Sequence, residues 1–153
     1  MRRLIRRLGV LALLVPLALS AAPPVHAQPG GGAGARDVAE VAYFEFTDVT
    51  RERFVFALAD SDKIEHARRI LDGEETERVH VVGRILKRQA PYNPRWSYHL
   101  NPETIDFFEY AIEVCDATIP FVEDHLDEAG GAFLPGLVWC PWTSQLTREL
   151  PNP

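Results

Sequence analysis

"VAYFEFTDVTRERFVFALADSDKIEHARRILDG", residues 41–73, holds two alternating apolar runs and then a helical stripe in direct succession. In the first run Ala42, Phe44 and Phe46 fall on one side and Val41, Tyr43 and Glu45 on the other, the period of a half-buried strand. The second run aligns Phe54, Phe56 and Leu58 in the same way, and the polar "TDVTRER" between them is short enough for a hairpin. From Asp60 the period changes. Ile64, Ala67 and Leu71 recur at i, i+3 and i+7, acidic and hydroxyl residues lead the segment, and Gly73 stops it. Asp62 and Glu65 resemble a capping box, and Arg68 and Arg69 complement the helix dipole from the last turns. His66 faces away from this stripe and is expected in solvent.

Downstream, "RVHVVGRILKR" (78–88) is rich in β-formers, with Gly83 where a bulge or a close packing contact is expected. "APYNPRWSYHLNP" (90–102) carries two Asn-Pro turns around a short aromatic strand. Trp96, Tyr98 and Leu100 are predicted to face inward, and Arg95, Ser97 and His99 outward. In "TIDFFEYAIEVCDA" (104–117) the alternation of Tyr110, Ile112 and Val114 places a strand in the second half. "TIPFVEDHLDEAGG" (118–131) reads as a helix with Thr118 as cap, Pro120 in its first turn, Ile119, Val122 and Leu126 as its apolar face, and Gly130-Gly131 as terminator. A loop and a final strand from about Thr143 close the chain. Strands outnumber helices and do not alternate with them regularly. The expected class is therefore α+β, a mostly antiparallel sheet with two helices in a single domain over residues 37–150.

The start of the chain has a different character. "MRRLIRR" supplies four arginines, and an apolar run of about fifteen residues follows, the pattern of a secretory signal. Small residues at Val25 and Ala27 predict cleavage after Ala27. A membrane span needs roughly 20 apolar residues, and Pro16, Pro23 and Pro24 interrupt this one. Residues 1–27 thus read as a signal peptide of bacterial type using the general secretory route. Residues 28–36, "QPGGGAGAR", read as a flexible Gly-rich leader. The expected product is secreted, with no stable insertion in the membrane.

Sixteen Lys and Arg less the four of the signal leave twelve against 22 acidic side chains, a charge of -10. No Lys or Arg occurs from Trp96 to Thr147, whereas nine acidic residues lie between Glu103 and Glu128. That field disfavours nucleic acid or an anionic membrane as partner. Cys115 and Cys140 are the two cysteines, and in an oxidising compartment such a pair forms a disulfide. No zinc spacing surrounds them, and Glu113 and Asp116 place Cys115 in a negative field that blunts a catalytic thiol.

Catalytic motifs are lacking: no GxSxG elbow, P-loop or dinucleotide fingerprint occurs. His125 lies among Asp124, Asp127 and Glu128, but without the oxygen spacing of a calcium loop, so no metal and no cofactor are predicted. Aromatic side chains carry more information, because Trp and Tyr anchor protein and carbohydrate ligands with few rotors. The candidate ligand-binding residues are Tyr92, Asn93, Arg95, Ser97, His99 and Trp142. They point to a non-catalytic binding domain for an extracellular protein or glycan. The alternative is a small extracellular hydrolase built on His99 or His125, or a protease inhibitor presenting "AFLPGLVWCPW" (132–142).

Four segments, "FVFALADSDKIEHARRIL" (54–71), "HVVGRILKRQAPYNPRWSYHLNPETIDFF" (80–108), "AIEVCDATIPFVEDHL" (111–126) and "WCPWTSQL" (139–146), together resemble a family of small, mostly bacterial secreted domains. That family is named after the N-terminal domain of a slime-mould calmodulin-binding protein. The resemblance implies a single secreted domain with two cysteines and no established enzymatic activity, and it carries over no catalytic residue. Calmodulin is not expected as a partner. The best candidate helix, "DKIEHARRILDGEE" (62–75), is mixed in charge and its narrow apolar face belongs to the core, whereas calmodulin targets are basic and amphipathic.

Overall fold

The computed structural model describes residues 40–152 apart from residue 112. The expected signal peptide, the Gly-rich leader and the domain start at Asp37 lie outside the described residues, as does Ile112. The fold is α+β with mostly antiparallel sheets, two helices and one disulfide. Among the described residues no helix is long and apolar enough to cross a membrane.

The alternating runs form strands β1 (Ala42–Thr47) and β2 (Arg53–Leu58), paired antiparallel with Phe44 opposite Phe56 and Phe46 opposite Phe54. The connecting turn is built by Asp48. Its Oδ1 accepts from the Thr50 amide at 2.9 Å, and the Arg51 N–H donates to the Asp48 carbonyl with Arg51 at φ 65°. Helix α1 (Ser61–Leu71) follows and Gly73, at φ 75°, ends it as expected. The capping differs from the predicted box: Asp60 is the N-cap and accepts from the amides of Asp62 and Lys63.

Strand β3 (His80–Leu86) is shared by three short antiparallel partners, β4 (His99–Leu100), β5 (Asp106–Phe108) and β8 (Val138–Trp139). Gly83 allows this crowding, since a Cβ there would meet Leu100 at 3.2 Å and Ile105 at 3.3 Å. The predicted strand over the second half of 104–117 is corrected. β5 takes the first half, because Phe108 pairs with His80 and β3 begins at that residue. Beyond it no β3 backbone remains to pair, so the chain leaves the sheet at Glu109 and reaches a 3-10 turn at Glu113–Cys115.

Helix α2 (Ile119–Asp124) is shorter than the expected run to Gly130. His125 leaves helical geometry, and Ala129–Gly130 (β6) pairs in parallel with β7 (Phe133–Pro135), with Gly130 at φ 97°. Thr118 is the N-cap but its side chain caps nothing. Asp48, distant in sequence, instead accepts from the Ile119 amide at 2.6 Å. The last strand, β9 (Gln145–Leu150), pairs with β1, and the Arg68 guanidinium of α1 bonds Glu149 on it at 2.7 Å and 2.9 Å.

Rings from both sheets meet in one core. Trp139, fully buried, lies 5.1 Å from Phe54, 5.8 Å from Phe46 and 5.5 Å from Tyr98, centroid to centroid. Cys115 and Cys140 are bonded, with Cα atoms 5.1 Å apart, and the Cys140 amide donates to the Cys115 carbonyl. Closing that loop contributes about 3.5 kcal/mol in the chain-entropy treatment.

Candidate functional site

Two surface regions gather the residues that carry recognition chemistry. The first is the corner at 90–102. Tyr92, Asn93 and Arg95 line a cleft of about 210 Å³ together with Glu45, Arg53, Val55 and Pro94. Ser97, His99 and Trp142 lie outside it, so the structure brings together three of the six sequence candidates.

Within this corner most polar capacity is already used. Asn93 is buried; its Oδ1 accepts from the Val55 amide at 3.1 Å and its Nδ2 donates to the Tyr98 carbonyl at 3.3 Å. It therefore holds the loop to β2. Ser97 is exposed, yet its Oγ donates to Glu123 at 2.6 Å and its amide donates to the same carboxylate, tying the corner to α2. The expected outward face of Arg95, Ser97 and His99 is corrected at His99, which is buried and donates from Nδ1 to the Arg88 carbonyl at 2.7 Å. The reason is local: regular extended pairing covers only His99–Leu100, so strand alternation does not sort the sides. Arg95 remains exposed, bridged to Glu52 at 2.5 Å with its guanidinium carbon 5.0 Å from the Trp96 ring.

Tyr92 is half-buried against Tyr43, at 5.2 Å, and burial raises its phenol above the ordinary value. Glu45, buried at the back of the cleft, accepts from Thr147 and from Arg148 at 3.0 Å. Trp96 and Tyr98 face inward as expected: the Trp96 indole donates to the Arg53 carbonyl, and the Tyr98 hydroxyl to the Ile119 carbonyl.

The second region surrounds Trp142, beside the disulfide. His80, Phe108, Tyr110 and Trp142 line a cleft of about 220 Å³ with Glu109 and Ala111. Tyr110 is 86% exposed and Trp142 38% exposed. Trp142 is fixed through its backbone, whose amide donates to Asp116 at 2.9 Å. His80 donates from Nδ1 to the Ser144 carbonyl at 2.9 Å and lies 5.5 Å from Phe108, ring to ring. Glu109 accepts from the Tyr110 hydroxyl and, with a smaller contribution from Glu77, raises that phenol above its ordinary value. No Lys or Arg lines this cleft among the described residues. Sequence reasoning picked out Trp142 and missed His80, Phe108 and Tyr110. The available signal was "FFEY" (107–110), where an aromatic run meets an acidic residue that a buried strand would not carry unpaired.

Other histidines serve packing. His66, expected in solvent, is buried, stacked on Phe107 at 4.8 Å and 6°, and donates from Nε2 to the Arg78 carbonyl. The loop at 72–79 returns over this side of α1, which widens the covered arc beyond the periodic stripe. His125 stacks on Phe121 at 4.0 Å and donates from Nδ1 to the Phe121 carbonyl, so its ring is not aimed at Asp124, Asp127 or Glu128. Among the described residues no group of His, Cys, Asp and Glu is placed to hold a metal ion. The segment considered as an inhibitor loop turns its bulk inward, with Leu134 and Trp139 fully buried and Leu137 packed on the core.

Compared with known proteins, residues 40–153 match the family model for the N-terminal domain of the slime-mould calmodulin-binding protein, the family that the four sequence segments resemble. No curated protein and no solved structure matches.

Proposed function

Because the chain belongs to this calmodulin-binding-protein N-terminal domain family, we propose that it is a secreted, non-catalytic binding domain for an extracellular protein or glycan. The ligand is held against the rings of Phe108, Tyr110 and Trp142. One observation carries this reading: these rings border an open cleft while most other large rings are committed to the core. Exposed Tyr and Trp bury large area with little loss of rotamer freedom, which makes them efficient anchors. Export is supported by the basic and apolar start of the chain and by the disulfide, which suits an oxidising compartment. A hydrolytic reading has less support, because Nδ1 of both His99 and His125 is spent on a backbone carbonyl.

The test is capture on arrays of glycans and extracellular proteins, comparing the natural chain with Trp142→Ala. The variant is expected to lose the captured ligand and to keep its melting temperature. Retention of every ligand by Trp142→Ala would remove the cleft from the binding function.

A further inference from the structure

The cleft at Trp142 has a chemical signature beyond being aromatic, and this inference rests on the reading that it is the binding site. Three carbocyclic rings, those of Phe108, Tyr110 and Trp142, border a volume of about 220 Å³. The charges around it share one sign. Glu109 forms part of the lining and accepts from Tyr110, Glu77 acts on the same phenol, and Asp116 accepts from the Trp142 backbone. The stretch that carries all three rings supplies no cation to neutralise them, since no Lys or Arg occurs from Trp96 to Thr147.

Ring faces present negative potential, and carboxylates behind them add to it. A cation placed there is attracted by both, provided that its own hydration is weak enough to surrender. Lysine ammonium is strongly hydrated, whereas a quaternary ammonium has its charge spread over methyl groups that also bury apolar area. The volume also falls below the roughly 300–1,000 Å³ typical of sites for drug-sized ligands, which favours a small head group. The corner cleft at Tyr92 is a useful contrast. Its Arg53 and Arg95 place positive charge in the lining, and its carboxylate Glu45 is bonded to Arg148. We propose that the Phe108–Tyr110–Trp142 cleft binds a small quaternary ammonium group of the choline type.

Calorimetric titration of the purified full chain with choline tests this, beside dimethylbutanol, the neutral isostere in which carbon replaces nitrogen. Choline is expected to bind saturably and roughly tenfold more tightly than the isostere. Tyr110→Ala should abolish binding of choline, and Glu109→Gln should weaken choline while leaving the isostere unchanged. Tyr110 is almost fully exposed, so its variant is expected to fold even if Trp142→Ala does not. Equal affinity for choline and dimethylbutanol would overturn the cation assignment while leaving an apolar binding cleft in place. Failure of choline to bind would overturn it too, as would binding of a trimethyllysine peptide without choline. In either case the broader reading stands or falls separately, on whether Trp142→Ala loses its array ligand.

Discussion

The corner at 90–102 and the cleft at Trp142 are built from the same kinds of side chain, with aromatic rings, a histidine and nearby carboxylates in each. In the corner, Trp96 and Tyr98 are buried and their polar tips bond backbone carbonyls, while Asn93 and Ser97 are bonded to β2 and α2. In the cleft, Tyr110 and Trp142 keep exposed ring surface, and the polar contacts are made around them rather than by filling the space. The difference follows from what each segment can pair with. The corner has β2, β3 and α2 around it, so every turn of chain finds a partner. Residues 109–111 have run past the end of β3 and have no sheet to join. Aromatic content alone does not mark a site; rings that the fold cannot cover do.

Substitution can break this comparison, and Tyr98→Ala should have the largest effect. It removes a fully buried ring that touches Phe54 and Trp139 and donates to the start of α2. A loss of about 3–5 kcal/mol in denaturant unfolding is expected. A loss below about 1 kcal/mol would mean that the corner is not part of the core.

Asn93→Ala comes next. It leaves the Val55 amide without its partner in a part-buried setting, and a loss of about 1–3 kcal/mol is expected. The decisive control is ligand capture measured well below the melting temperature, which should be unchanged. Weakened capture at full folding would return Asn93 to the recognition surface.

Tyr110→Ala should have the smallest effect on stability, within about 0.5 kcal/mol, since the ring is almost wholly exposed. The same substitution should produce a large loss of binding. A destabilisation as large as that of Tyr98→Ala would erase the distinction between the two regions.

The hairpin, α1 and the α+β class were legible in residues 41–73, because apolar period reports directly which face a regular element buries. The cysteine pairing was legible from number and compartment. By contrast, the fates of Ser97, His99, Tyr110 and His66 were set by partners remote in sequence. Glu123 lies across the corner from Ser97, and the Arg88 carbonyl receives His99. β3 begins only at His80, and the loop at 72–79 covers His66. None of these leaves a periodic trace, since a short irregular segment has no pattern to disturb.

Local patterning and composition by themselves determined the elements that bury a continuous apolar face, the acidic charge and the inward direction of Trp96 and Tyr98. Only the tertiary structure decided which polar side chains were consumed by backbone partners and which rings were left at the surface. The physical reason is that burial of a regular element depends on its own periodicity, whereas exposure of a loop residue depends on whether another part of the chain arrives to cover it.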